Sequence, residues 1–290
     1  MANTTDSGSG KTQLLLTLLL SAQLPAPRGL SKSAVYISTE AALSTSRLHQ
    51  LLRLHPLLSG LSDAVKPSLS RILSIRTPDL ESQEHIVRYQ LPVVVKRQNV
   101  GLVVVDSMAA NYRAEFDYAD KRHEDSDRRT GRAMADRRSQ LVQLGAFLRD
   151  LARTEHIAIV VSNQVADRLA PTYNSQPSST PGITSDPLAL DHQLRWFSGW
   201  GDQQNDILGL KTPSLGLVWT NQIAARIALI KAQDIRDGKT QRWFRVVFAS
   251  WTSPTSQRGV EYEITTAGIK ASLDVGVAET TTEKNILKVV

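Results

Sequence analysis

Two short, uninterrupted apolar runs restrict this chain to few folds. LVVV at residues 102–105 and IAIVV at residues 157–161 show no alternation of polar and apolar residues, as expected of strands buried on both faces of a sheet. Segments of helical period separate these and similar runs, which favours parallel strands joined by crossover helices. The predicted strands cover residues 34–38, 71–75, 102–105, 157–161, 226–230, 244–249 and 260–264. The sequence therefore predicts an α/β fold with a mostly parallel, twisted sheet flanked by helices.

The composition sets further limits. With 290 residues, 41% of them hydrophobic, the chain can bury one large core, which we assign to residues 1–273, ahead of a polar tail over 274–290. A net charge of +6 is compatible with a polyanionic partner, although no strongly basic block concentrates it. The chain has no cysteine, which excludes disulfides and thiolate metal sites. No apolar run reaches the roughly 18 to 20 residues of a membrane span, so we expect no membrane partner.

The sequence GSGKT at residues 8–12 matches the second half of a phosphate-binding glycine loop. Its glycines would let main-chain N–H groups converge on phosphate oxygens, while Lys11 would reach the outer phosphates and Thr12 would ligate Mg²⁺. A leucine-rich helix would follow and add its positive N-terminus. The pattern is incomplete, because Thr5 stands where a further glycine is expected. The residues MANTT also cannot form the buried strand that normally precedes such a loop.

The same segment has a second interpretation, a secretory signal. Lys11 would then be its basic residue, the run Leu14–Leu20 its apolar region, and Ser21 and Ala22 its small residues before cleavage. Asp6, the single basic residue and the polar residues around the run argue against it.

Polar residues at the ends of three predicted strands favour the phosphate interpretation. LVVVDS ends in Asp106, which would hold a metal at the carboxyl edge of the sheet. YISTE ends in Glu40, which would orient a water for phosphate hydrolysis, or would be an exposed turn carboxylate. VVSNQ ends in Gln164, which would sense the terminal phosphate, or would only cap its strand. Together with the glycine loop, these residues indicate a nucleotide site.

Two long segments interrupt the alternation of strands and helices. Residues 113–138 are dense in charges of both signs and are predicted to form a solvated loop before an amphipathic helix over 136–155. Residues 167–213 are rich in Pro, Ser, Asn and Gly, and a loop of that length is usually functional or disordered. The aromatic residues inside it are Trp196, Phe197 and Trp200. They would stack on bases, anchor a partner protein or pack locally, and we favour a partner protein.

The order of motifs along nearly the whole chain resembles the RecA-like strand-exchange recombinases of eukaryotes. The motifs are SGSGKTQ, VYISTE with RL after it, GLVVVDSMAANYRAEF, RRSQLVQLGAFLRDLA, IAIVVSNQV and LGLVWTNQIAARIAL. More closely, they resemble the paralogues of these enzymes, the recombination mediators, within them the Rad-fifty-seven-like type. DSMAANYRAEF and the later SNQV are the most family-specific of these motifs.

This resemblance implies a RecA-like P-loop ATPase core, bound ATP and Mg²⁺, and weak DNA-dependent ATP hydrolysis. By motif match, the site residues would be Gly8, Ser9, Gly10, Lys11, Thr12, Gln13, Glu40, Asp106 and Gln164. Of these, Thr12 and Asp106 would hold the metal, and Glu40 and Gln164 would be catalytic. The resemblance also implies a nuclear protein that pairs with another recombinase paralogue, acts on the main recombinase filament and contacts single-stranded DNA weakly.

The chain departs from the family pattern at its start. Thr5 and Asp6 replace the Gly-Glu pair of the family's loop, and the preceding strand and N-terminal helical domain are absent. We therefore expect a core that lacks its first strand, in a chain truncated at its N-terminus. The rival to an ATPase is a scaffold subunit that nucleotide stabilises without any need for hydrolysis.

Overall fold

The computed structural model describes residues 8–113, 127–167, 211–213, 215–233, 239–255 and 259–272. Its first unit is a parallel sheet of four strands in the order β2-β1-β3-β4. The strands are β1 (Ser33–Ser38), β2 (Ile72–Arg76), β3 (Val100–Asp106) and β4 (Ala158–Val161). All four begin and end within two residues of predicted strands. The predicted parallel α/β fold is thus confirmed.

Helices cover both faces of this sheet. They are α1 (Lys11–Ser21), α2 (Thr45–Leu54), α3 (Leu80–His85), α4 (Leu91–Arg97), α5 (108–113), α6 (Asp127–Glu155) and α7 (Gly216–Thr220). A π-helical turn, Ile86–Gln90, joins α3 to α4. Because successive side chains of a strand point to opposite faces, β1 and β3 contribute to two separate cores. From Ala34 and Leu102 onward, the even-numbered apolar residues pack with α1 and α2, and the odd-numbered ones pack with α4, α5 and α6. Val100, which lies before a shift in the register of β1 and β3, packs with the second group.

The leucine run of α1 belongs to the first of these cores. Leu15, Leu16, Leu19 and Leu20 are at most 3% exposed. They pack with Leu48 of α2 and with the strands. The run is therefore placed as the phosphate-loop interpretation predicts, inside the folded domain.

The last strands differ from expectation, because they form an antiparallel sheet rather than a continuation of the parallel one. Its order is β10-β9-β8-β7. The strands are β7 (Ala225–Gln233), β8 (Thr240–Ala249), β9 (Val260–Thr265) and β10 (Gly268–Ala271). Only six residues separate β7 from β8. A parallel crossover needs about a dozen or more residues, so the short connection dictates an antiparallel hairpin of β7 and β8. Strand β10 was not among the predicted strands.

The predicted loop over 113–138 is wrong in its second half, since α6 begins at Asp127. Arg, Ala and Met are good helix formers, so this charged segment extends the amphipathic helix without an apolar stripe of its own. Residues 108–113 are also helical. Residues 114–126 lie outside the described part of the chain.

The predicted loop over 167–213 begins and ends at a small antiparallel ladder. It is formed by β5 (Val165–Asp167) and β6 (Lys211–Pro213), which bring the two ends of the segment together. Trp196, Phe197 and Trp200 lie outside the described residues, as does the predicted tail over 274–290. No helix among the described residues is long and apolar enough to cross a membrane.

Replacing Leu19 by Ala tests the place of α1 in the core. The side chain is fully buried, so the substitution should lower the free energy of unfolding by about 2–5 kcal/mol. Leu54→Ala in α2 is the matched control, because Leu54 is 45% exposed and should cost much less. The measurement is urea unfolding followed by circular dichroism. Equal losses in the two variants would contradict the packing described for α1.

Candidate phosphate and magnesium site

Asp106, the last residue of β3, is the centre of the candidate site. Thr12 Oγ1, in the first turn of α1, donates a hydrogen bond to Asp106 Oδ2 at 3.0 Å. Tyr36 Oη donates to the same oxygen at 2.9 Å, and Ser162 Oγ donates to Oδ1 at 2.6 Å. Hydrogen bonds to a carboxylate are stronger than those between neutral groups. Three segments that are distant in sequence thus converge on one carboxylate.

The register of the sheet explains this convergence. Ser38 pairs with Asp106, and Val105 pairs with Val161, so the three strands end level with one another. Asp106 continues the even-numbered face of β3, which is the face that α1 covers. Its carboxylate therefore comes out next to the start of α1, where Thr12 lies.

Tyr36 and Ser162 are site residues that the sequence analysis missed. Tyr36 is 3% exposed, and burial, followed by the charge of Asp106, raises the pKa of its hydroxyl above the usual range. The phenol therefore stays protonated and remains a donor. Ser162 directly follows β4, and the pairing of Val105 with Val161 places it beside Asp106, on the face that α1 covers. Both residues could have been identified by listing which residues of the neighbouring strands lie on the same face of the sheet as Asp106.

Thr39 fixes the chain that follows Asp106. Its hydroxyl donates to the Ser107 carbonyl at 2.9 Å and accepts from the Ser107 N–H at 3.0 Å. Its own N–H donates to the Asp106 carbonyl at 3.0 Å. The main chain that follows the Asp106 side chain is therefore held by the residue that follows β1.

The glycine loop lies at the N-terminus of α1. Gly8 and Gly10 have φ values of 89° and 95°, a left-handed region that favours glycine. Gly10 precedes the first residue of α1, and no described side chain caps that end of the helix. The first turn also has no acidic residue. Uncapped N–H groups and the helix dipole favour an anion at this position. Lys11 Nζ lies 3.4 Å from Ser9 Oγ, at the same end of the helix.

The two residues predicted to be catalytic are in contact. Gln164 Nε2 donates to Glu40 Oε1 at 2.5 Å. Both residues follow strands of the parallel sheet and lie at its carboxyl edge, so the structure brings together the pair that the sequence placed on separate strands. Gln13 is positioned differently, because its side chain faces α2. There its Oε1 accepts a hydrogen bond from Arg47 Nε at 2.7 Å.

The residues present fit a hydrated Mg²⁺ ion with phosphates. Thr12 and Asp106 supply adjacent oxygen ligands, which Mg²⁺ prefers. Three buried polar atoms at the ends of β1, β3 and β4 have no hydrogen-bond partner among the described residues. They are Ser38 Oγ, Ser107 Oγ and Asn163 Oδ1. Buried polar groups are normally satisfied, and ordered water would satisfy these. The described residues contain no cluster of three or more His, Cys, Asp or Glu that would hold a metal without a phosphate.

Comparison with known proteins agrees with this geometry. The Rad51 family model matches residues 5–182, more than half of the chain, and this range includes the glycine loop, Asp106 and Gln164. The chain belongs to the Rad51 family. The predicted resemblance to RecA-like recombinases is thereby confirmed, and the parallel sheet with its flanking helices is the core of a Rad51 domain.

Several Rad51-family relatives are DNA repair proteins. The chain is 44% identical over 260 residues to the DNA repair protein rhp57 of Schizosaccharomyces pombe, a match that covers 87% of this chain and 68% of that protein. It is 33% identical over 213 residues to RAD57 of Saccharomyces cerevisiae, covering 70% of this chain and 42% of that protein. It is 30% identical over 272 residues to XRCC3 of Bos taurus, covering 91% and 66%. The paralogue branch named from the motifs is confirmed.

Replacing Ser162 by Ala tests the hydrogen bonding around Asp106 in this Rad51-family domain. The substitution removes one hydrogen bond to a part-buried carboxylate and should lower the free energy of unfolding by about 1.5–3 kcal/mol. Ser74→Ala on the exposed side of β2 is the matched control and should change it by less than about 0.5 kcal/mol. Urea denaturation measures both variants. A loss as small as that of the control would show that Ser162 contributes nothing to holding Asp106.

Proposed function

We propose that this protein is an ATP-binding recombination mediator, which assists the assembly of a recombinase filament on single-stranded DNA during homologous-recombination repair. The observation that carries the proposal is the hydrogen bond between Thr12 and Asp106, 94 residues apart. It joins the two side chains that a magnesium–nucleotide complex requires. Membership of the Rad51 family and relatives named as DNA repair proteins supply the biological setting.

The proposed site binds ATP through side chains and main-chain groups with separate tasks. The N–H groups of the glycine loop and the start of α1 bind the phosphates, and Lys11 offsets their outer charge. Thr12 and Asp106 hold Mg²⁺, which when bound neutralises negative charge on the phosphates. The hydroxyls of Tyr36 and Ser162 keep the carboxylate of Asp106 aimed at the start of α1 while Thr12 turns to the metal.

Glu40 and Gln164 connect the nucleotide to the rest of the protein in this proposal. Glu40 orients the attacking water as a general base. Gln164 stands between β4 and β5, directly ahead of the ladder that closes residues 168–210. A Gln164 side chain that leaves Glu40 for the terminal phosphate would pull on this ladder. The presence of ATP would then be transmitted to the long segment, which we propose contacts a partner protein and, weakly, DNA.

The contact between Gln164 and Glu40 also favours a second candidate function. In the described structure the carboxylate of Glu40 already accepts a 2.5 Å hydrogen bond, so it is less available to a water. A scaffold subunit that binds ATP for stability and does not need to hydrolyse it would tolerate this arrangement. In both candidates the protein acts in the nucleus, beside another recombinase paralogue.

Two substitutions separate ATP binding from hydrolysis. Lys11→Ala should weaken ATP binding at least about tenfold, because it removes a charged donor to the phosphates. Glu40→Gln should leave the dissociation constant within about threefold and slow single-turnover hydrolysis by about 10²–10⁴. Lys66→Ala, at an exposed lysine far from the loop in sequence, is the matched control.

The same variants distinguish the two candidate functions in cells. If hydrolysis is required, Glu40→Gln should fail to support double-strand-break repair, as Lys11→Ala does. If the protein is a nucleotide-stabilised scaffold, Glu40→Gln should repair normally while Lys11→Ala does not. ATP binding by the Lys11→Ala variant equal to that of the Lys66→Ala control would contradict the proposed site itself.

A further inference from the structure

Two side chains of the antiparallel sheet bind the main chain of the glycine loop. Arg242 Nε, on β8, donates to the Gly8 carbonyl at 3.1 Å. Tyr262 Oη, on β9, donates to the Ser9 carbonyl. The donors lie 234 and 253 residues along the chain from their acceptors. The antiparallel sheet, whose strand directions the sequence did not predict, therefore touches the one segment on which the proposed phosphate binding depends.

These contacts decide which way the N–H groups of the loop point. In a trans peptide the C=O and the following N–H point in opposite directions, and neither peptide of the loop is among the cis bonds of the described chain. The carbonyl of Gly8 shares its peptide with the N–H of Ser9, and the carbonyl of Ser9 shares its peptide with the N–H of Gly10. Holding both carbonyls against the sheet therefore turns both N–H groups to the opposite side of the loop. Successive N–H groups on one side form an anion-binding concavity.

Packing supports the same orientation. A Cβ atom added to Gly10 would lie 2.9 Å from Ile264 Cδ1, so β9 approaches the loop as closely as a glycine permits. Ser9 is 1% exposed and Tyr262 is 3% exposed. Burial raises the pKa of Tyr262 to about 12, against the opposing charge of Arg242. The phenol is thus a permanent donor at neutral pH, and its carbonyl partner has little access to water as a substitute.

A third contact fixes this part of the sheet to the helices. The guanidinium of Arg47, on α2, donates to the carbonyls of Thr265 and Thr266 at 2.8 and 2.7 Å. It also donates to Gln13 of α1. The turn after β9 is therefore fastened to the helix that follows the glycine loop, so β9 and the loop keep a constant relative position.

We propose that Tyr262 and Arg242 are positioning residues that hold the glycine loop in its anion-binding orientation by binding its carbonyls. The two side chains bind only the loop, and the loop in turn binds the phosphates of a nucleoside triphosphate. The inference rests on the proposed function where it concerns ATP, whereas the orientation of the loop can be measured without any nucleotide.

Tyr262→Phe is the decisive variant, because it removes one neutral hydroxyl and keeps the ring that packs beside the loop. Tyr89→Phe is the matched control, since Tyr89 is 67% exposed on the helical turn before α4. Arg242→Lys is the second variant. It keeps the positive charge and loses the Nε donor, so it separates a hydrogen-bonding role from simple attraction of phosphate.

The experiment uses the full chain and two measurements. The first is hydrogen–deuterium exchange of peptides covering the loop and α1 without nucleotide, which Tyr262→Phe should accelerate about three- to tenfold relative to wild type. The second is MgATP affinity, where Tyr262→Phe should raise the dissociation constant about three- to tenfold. The maximal single-turnover rate should stay unchanged, which general destabilisation of the fold would not predict. Arg242→Lys should act in the same direction, and Tyr89→Phe should change neither quantity.

Each result has a defined meaning. Loop exchange and ATP affinity in Tyr262→Phe that match the Tyr89→Phe control would overturn the inference. The same holds if Arg242→Lys behaves as wild type in both measurements while Tyr262→Phe fails to fold. Faster loop exchange in Tyr262→Phe, with no ATP binding by the wild-type chain, would uphold the positioning role and refute the proposed function instead.

Discussion

The register of β3 between β1 and β4 is the constraint on which the rest of the structure depends. Parallel pairing ends the three strands level with one another, and the alternation of side chains assigns Asp106 to the face that α1 covers. A shift of one residue would turn the carboxylate to the opposite face, towards α4 and α6. The buried apolar residues on both faces of β3 oppose such a shift, because every one of them would change cores. The same hydrophobic burial that stabilises the sheet therefore places Asp106, the proposed metal ligand.

Much of this arrangement could be predicted from the sequence, because it depends on local signals. Apolar runs of strand length identified the four parallel strands, and polar residues at their ends identified Asp106, Glu40 and Gln164 as neighbours at one edge. Those signals were interpreted one strand at a time, so Tyr36 and Ser162 were missed, although the register places both on the same face of the sheet as Asp106. Gln13 was predicted from its place beside the loop in sequence, and the local pattern did not indicate that its side chain binds Arg47 on another helix.

The antiparallel sheet shows which features cannot be predicted from local sequence signals. Three of its four strands were recognised, but an apolar run does not indicate the direction of its strand. The short connection between β7 and β8 excludes a parallel crossover. The position of that sheet against the glycine loop depends on contacts across more than 230 residues, such as the one between Arg242 and Gly8. Nothing in the spacing of either segment indicates the other. The start of α6 at Asp127 was missed because a charged helix without an apolar stripe resembles a solvated loop.

The glycine loop is therefore held by contacts on two sides, at Asp106 and at the antiparallel sheet. The free energies of these hydrogen bonds indicate what each side contributes. On one side, Asp106 accepts part-buried hydrogen bonds from Tyr36 and Ser162, each worth about 1.5–3 kcal/mol for a charged acceptor. The exposed hydrogen bond from Thr12 is worth less, and the two part-buried ones make this side dominate the stability of the site. On the other side, Tyr262 binds a neutral carbonyl at about 0.5–1.5 kcal/mol, too little to decide whether the domain folds. A contact of that size is nevertheless sufficient to choose between two orientations of a peptide in a flexible glycine segment, because an energy difference near 1.4 kcal/mol is a tenfold preference. Weak contacts at the carbonyls can thus control ligand affinity while strong contacts at the carboxylate control folding.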